Sequence, residues 1–119
     1  MTPILFEVGV KAVNGLNHDG RHWGARAKRA KDHRKAVADM WKVCRCAPPP
    51  LPVVVTMTRF SPGTRPMDSD GLSAALKPIR DGVADCLGVD DADARITWNC
   101  RQERRADHCV RILIESTGG

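Results

Sequence analysis

Residues 52–88 read PVVVTMTRFSPGTRPMDSDGLSAALKPIRDGVADCLG, and two changes of pattern within them decide the fold. Residues 52–60 are β-branched through their centre, which predicts a strand. The polar run 61–70 reads as a loop. From about 71 to 87 the period becomes helical: wound at about 100° per residue, Leu72, Ala75, Leu76, Ile79, Val83, Cys86 and Leu87 gather into one apolar stripe. Gly88 follows, the residue suited to the left-handed position just past a helix end. Pro78 removes one helical hydrogen bond and predicts a kink.

Downstream, residues 94–100 alternate Ile96, Trp98 and Cys100, and residues 109–115 alternate Val110, Ile112 and Ile114, giving two further strands. Residues 101–108 read as a polar hairpin connection, so these strands are expected to pair antiparallel with one wet face. Upstream, residues 4–10 put Ile4, Phe6, Val8 and Val10 on one face of a strand. The turn-rich stretch 14–20 precedes a helix predicted over 24–44. Its apolar stripe is Ala30, Val37, Trp41 and Cys44, and His33 falls on its charged, solvated side. The run APPPLP at 47–52 cannot be helical and works as a stiff connector. The order β-α-β-α-β-β predicts one α+β domain over 1–119, with two helices packed on one face of a small mixed sheet. Residues 115–119 are expected to fray.

Composition agrees with a globule of this kind. The 119 residues carry 19 Lys+Arg and 14 Asp+Glu, and 42% hydrophobic with 28% charged residues argues against disorder. No apolar run approaches the ~20 residues of a membrane span. The N-terminal MTPILFEVGVKAV lacks a basic leader and holds Glu7 inside its apolar stretch, so no signal peptide is read there. Five cysteines at spacings unlike those of a zinc site read as reduced cytosolic thiols.

The formal charge of +5 hides a partition. Residues 68–93 hold seven aspartates against Lys77 and Arg80, a net −5, while the rest of the chain carries +10. Asp68-x-Asp70 and Asp90-Asp91 flank the second helix, where Asp70, Lys77 and Asp81 lie within about 20° of one another opposite the apolar stripe. Lys77 stands two turns beyond Asp70, with a stem long enough to bring its ammonium back toward it. Such carboxylates suit Mg2+, which takes hard oxygen ligands and is commonly bound by one or two of them with substrate phosphate. That metal can activate water and stabilise a phosphodiester displacement, and a nearby lysine adds fixed positive charge. Without metal, clustered carboxylates repel and at least one is expected to be harder to ionise. The other reading is ordinary turn chemistry: Asp before a helix caps it, and Asp90-Asp91-x-Asp93 is a solvated loop.

Arg21, Arg26, Lys28, Arg29, Lys31, Arg34, Lys35, Lys42 and Arg45 lie in or beside the first helix, and Arg101, Arg104, Arg105 and Arg111 form a second basic group. Such surfaces grip a phosphate backbone, although a basic helix face can also be merely solvated. His18, His22, Trp23 and His33 add groups able to stack on bases or touch phosphate. An acidic island repels DNA unless metal fills it, and the basic remainder attracts DNA; together they read as a metal-dependent nuclease.

The stretch Met67-Asp68-Ser69-Asp70-Gly71-Leu72, then Ala75-Leu76-Lys77, Arg80-Asp81-Gly82-Val83-Ala84-Asp85 and Leu87-Gly88-Val89-Asp90-Asp91-Ala92-Asp93, resembles the RusA-like family of phage and prophage endonucleases that resolve Holliday junctions. The resemblance is strongest over 53–115 and extends more loosely to 14–37. It implies a homodimer in the bacterial cytoplasm that depends on Mg2+, with Mn2+ as a substitute, and makes paired nicks across a four-way junction. Asp68 and Asp70 match the first two acidic positions and Asp91 the third, with Asp90 the neighbouring candidate because the pair leaves the register open by one. Lys77 matches the essential lysine. Gly71 stands where the family commonly has Asn, and Asp70 and Lys77 are further apart than in its best-known members. The rival function is a catalytically inactive, structure-selective nucleic-acid-binding protein of prophage origin.

Overall fold

The computed structural model describes residues 2–13 and 23–117. Its elements are β1 (Ile4–Val8), α1 (Trp23–Val43), β2 (Val53–Ser61), α2 (Ser69–Leu87), β3 (Ile96–Arg104) and β4 (Cys109–Ser116), the order expected from the sequence. The turn-rich stretch 14–20, with Arg21, His18 and His22, lies outside the described residues, as does the side chain of Trp23.

The four strands form one mixed sheet in the order β1-β4-β2-β3. β4 pairs antiparallel with both β1 and β2, and β3 pairs parallel with β2. The expected β3/β4 hairpin is therefore wrong: β2 lies between them. Alternation in a strand fixes which side chains face the core, not which strand is its neighbour. Burial decides the neighbours here. β4 buries Val110, Ile112 and Ile114 completely and takes an interior place, whereas β3 is mostly exposed after Ile96 and takes an edge. β3 also runs on to Arg104, and the Arg105 N–H still donates to the Ser61 carbonyl at the end of β2 (3.0 Å) before the chain crosses to β4.

The register sets Val55 opposite Ile114, and Met57 and Phe6 opposite Ile112. These side chains share one face of the sheet and meet Leu72, Leu76, Ile79 and Val83 of α2 and Val37 of α1 in a single core. α2 starts where Asp68 caps it, its carboxylate accepting from the Gly71 N–H (2.7 Å), and runs unbroken through Pro78. Gly88 ends it with φ of 75°, its N–H donating to Asp85 while Val89 donates to Ala84.

Three expectations need correction. Cys44 is exposed, because α1 stops at Val43 and the turn carries Cys44 off the stripe. His33 is not solvated: it is 7% exposed, one turn before the buried Val37 and on the same side of α1. α2 approaches α1 closely at Gly82, so the interface reaches His33, which lines a cleft with Ala74, Ala75 and Pro78. Residues 115 and 116 do not fray but end β4; Ser116 donates to the Pro50 carbonyl (2.9 Å) and the Thr117 N–H to that of Pro52 (3.0 Å). Residues 118 and 119 lie outside the described residues.

α1 and α2 end alike but with different residues. Arg45 holds φ of 53° where α2 has Gly88, and the Arg45 and Cys46 N–H groups close the α1 end on Lys42 and Trp41. A left-handed conformation costs an L-residue about 1–2 kcal/mol, and the greater freedom of glycine in the unfolded chain returns about 0.4–1 of it. Arg45→Gly is expected to raise the unfolding free energy by a few tenths to about 1 kcal/mol, and with it the urea midpoint. A lowered midpoint would contradict this assignment of strain.

Candidate functional site

α2 carries most of the sequence-predicted site. Asp68 sits at its N-cap and Asp70 in its first turn, both exposed. Asp68 spends Oδ1 on the Gly71 N–H (2.7 Å). Its Oδ2 and the whole Asp70 carboxylate make no hydrogen bond or ion pair among the described residues. The loop entering the helix is clasped by a residue the sequence reading did not single out. Gln102, on β3, accepts from the Met67 N–H (2.9 Å) and donates to the Met67 carbonyl (2.7 Å), fixing the backbone immediately before Asp68. Read inside a hairpin connection, Gln102 offered no such role; the parallel pairing of β2 and β3 brings it beside the loop.

Asp91 has a different setting. Its Oδ2 meets Lys77 Nζ at 2.5 Å and Arg80 Nε at 3.2 Å. Its carbonyl accepts from the Trp98 indole N–H (2.9 Å) and from Arg80 (3.2 Å), whose guanidinium lies 4.9 Å from the Trp98 ring centre. Lys77 also bonds Asp81 (2.8 Å), one turn along α2. The ammonium therefore turns toward Asp81 and Asp91, not back toward Asp70 as its reach allowed. Of the two adjacent candidates, Asp91 contacts α2, while Asp90 accepts from the Ala92 N–H (2.8 Å) in a local turn. Asp93 caps the same loop, and the Arg95 guanidinium holds its carboxyl down at about 2.

The Lys77 hydrogen bond, with the charges of Lys77 and Arg80, holds the Asp91 carboxyl below its usual range. Hydrogen bonds from Lys77 to Asp81 and then to Asp91 raise the lysine. The stabilising contribution of Asp91 is therefore complete above the ordinary carboxylate value of about 3.9 and is lost as pH falls through its lower folded value. That of Lys77 is complete below about 10.4 and is lost as pH rises through its higher folded value. A carboxyl-carbon NMR titration is expected to place the Asp91 midpoint below the ordinary value, and Lys77→Met is expected to move it back up. A midpoint that Lys77→Met leaves unmoved would remove this pair from the site.

The acidic residues thus fall into two places. Gln102, which holds Met67, and Trp98, which holds Asp91, are four positions apart on β3, about 13 Å. Among the described residues no three His, Cys, Asp or Glu side chains converge as a metal-ligating group. Asp68 and Asp70 stand together, and Asp91 stands with Lys77, Arg80 and Asp81. The donor chemistry of Asp68 Oδ2 and the Asp70 carboxylate, hard oxygens without hydrogen-bond partners among the described residues, fits a Mg2+ site of the kind completed by water and substrate phosphate.

The expected basic residues also divide. Lys28, Lys35 and Arg34 are engaged with Asp32, Asp39 and Asp85, and Lys31 is exposed on the same helix. Arg105 bonds Glu7 and Asp107 and lies 4.4 Å from the Phe60 ring centre, so its charge is already met within the protein. Arg101 and Arg104 are exposed on β3 and form no ion pair among the described residues. Arg104 joins Arg59, Arg65, Thr64 and Gln102 around a cleft of about 170 Å³. Arg59 and Arg65 were not in the predicted basic set; only the packing of the β2–α2 loop against β3 shows them together.

No family model matches the chain. An uncharacterized protein of Xylella fastidiosa (strain Temecula1 / ATCC 700964) is 34% identical over 101 residues, covering 82% of this chain and 65% of that protein. The chain therefore spans about 65% of the length of the relative it matches.

Proposed function

We propose that the protein is a Mg2+-dependent endodeoxyribonuclease of the RusA-like type that cuts branched DNA. One observation carries this reading: Asp68 and Asp70, which form no ion pair among the described residues, follow the Met67 that Gln102 clasps, and Gln102 also lines a cleft with Arg59, Arg65, Arg104 and one acid, Glu103. Cations that receive a phosphate backbone thereby lie beside carboxylates suited to a divalent metal.

Asp68 and Asp70 are assigned to hold the metal, which when bound supplies Lewis acidity at the scissile phosphate. Asp91 steadies Lys77 through Oδ2. Lys77 supplies fixed positive charge on the same helix as Asp70. Arg101 and Arg104, with the exposed cations of α1, hold the DNA arms. Paired incision of a four-way junction requires two such sites, which a homodimer presents by symmetry. The reading places the protein in the bacterial cytoplasm as a phage or prophage product.

The separation of Asp91 from Asp68 and Asp70 favours one alternative, a protein that binds branched DNA without cutting it. Incubating a synthetic four-way junction and a linear duplex of the same sequence with and without Mg2+ separates the two. Nuclease function requires strand breaks in the junction that depend on Mg2+; a retarded but intact junction in Mg2+ establishes the binder.

A further inference from the structure

We propose that Arg26, Arg29 and His33 form a discrete pocket for one phosphate-class oxyanion between α1 and α2. The three residues recur at intervals of three and four, so α1 presents them on one side. They line a cleft of about 160 Å³, closed on the α2 side by Ala74, Ala75 and Pro78 and bordered by Ala30 and Val13. The α2 wall is small and uncharged, which leaves room beside the cations and offers no carboxylate to neutralise them.

His33 is the second, independent sign of a ligand. It is 7% exposed, lines the cleft, and its Nδ1 is buried with no hydrogen bond among the described residues. A buried polar atom left unsatisfied costs roughly 1–3 kcal/mol, and an oxyanion in the cleft would accept from it. Arg26 has interactions of its own; a guanidinium carries five N–H donors and can serve several acceptors.

Among the described residues, the charged groups facing His33 are Arg26 and Arg29 along the cleft and Asp32 beside it on α1; Val13 and the α2 residues lining the cleft add none. Burial, with the charge of Arg29, pushes the imidazole below its usual value, so it is mostly neutral at neutral pH. An anion bound beside it favours the proton. The pocket is therefore expected to bind sulfate, whose charge is constant in this range, more tightly as pH falls from 8 to 6.

This inference does not rest on the nuclease reading, because it concerns a site on the α1 side and a binding event without chemistry. The test follows the His33 ring by long-range proton–nitrogen NMR on the full chain. Inorganic phosphate is titrated at constant ionic strength against chloride. The expected result is a saturable shift of the ring signals, with the affinity reduced roughly tenfold or more in Arg29→Gln. Arg29 is only half-buried, so Arg29→Gln leaves the core intact, and unchanged dispersion of the other amide signals verifies that it does. No saturable shift, or equal affinity in Arg29→Gln and wild type, overturns the pocket. A short DNA duplex supplies the final arm. If it displaces phosphate from His33, the anion is a backbone phosphodiester; if phosphate binds and the duplex does not displace it, the anion is a free phosphate or phosphate ester. Either outcome supports the pocket, and neither depends on whether the junction is cut.

Discussion

Asp70→Asn is expected to lower Mg2+-dependent cleavage of a four-way junction roughly a hundred- to a thousandfold while leaving junction binding nearly unchanged. The metal is credited with several kcal/mol of transition-state stabilisation, and each 1.36 kcal/mol is tenfold in rate. Asn keeps the size of Asp and removes the charge the cation needs. The fold has little stake in this carboxylate: Asp70 is exposed and makes no side-chain bond among the described residues. Its favourable position at the helix N-terminus is worth about 0.3–1 kcal/mol. Asp68→Asn gives a matched second case, because Asn caps a helix as well as Asp does and can still accept from the Gly71 N–H. Single-turnover rates beside gel-shift affinities measure both. Cleavage by Asp70→Asn within a fewfold of wild type would remove Asp70 from the site.

Gly82→Leu is expected to destabilise the protein by roughly 3 kcal/mol, the largest stability effect among the variants considered. A Cβ on Gly82 would stand 2.9 Å from the Val37 Cβ and 3.1 Å from the Arg34 carbonyl oxygen. Neither obstacle is the loose end of a flexible side chain, so α1 and α2 must separate to admit it. Separation also strains the ion pair that Arg34 Nε makes with Asp85 across the same interface. Gly82→Ala meets the same contact but gains about 1 kcal/mol of helix propensity, and is expected to fall between wild type and Leu. Urea unfolding monitored by helical circular dichroism orders the three proteins. A Gly82→Leu midpoint equal to wild type would mean that the helices do not meet at Gly82.

Much of the fold was legible because its signals are local. The stripe of α2, its Gly88 stop and the inward sets of β1 and β4 follow from periods of 3.6 and 2. Strand order is not local, and the hairpin expected between β3 and β4 failed for that reason. The i, i+4 spacing from Val37 already sets His33 beside the apolar stripe; that α2 covers this flank follows only from the close approach of the helices at Gly82. At the candidate site, the residue types and the facing of Lys77 and Asp81 could be read from α2 alone. The Gln102 clasp and the cleft of Arg59, Arg65 and Arg104 could not, since both depend on β3 lying parallel to β2. The charge partition was visible in sequence, yet the structure shows part of the basic excess already bound: Arg105 by Glu7 and Asp107, Arg34 by Asp85.

The most direct measurement is a single-turnover time course on a four-way junction with each strand end-labelled in turn, in Mg2+ and in EDTA, with every cut mapped on a denaturing gel. A branched-DNA endonuclease acting through Asp68 and Asp70 is expected to produce nicks in two opposed strands at symmetry-related positions near the crossover, in Mg2+ only. Junction strands that stay intact in Mg2+ under saturating protein would contradict it.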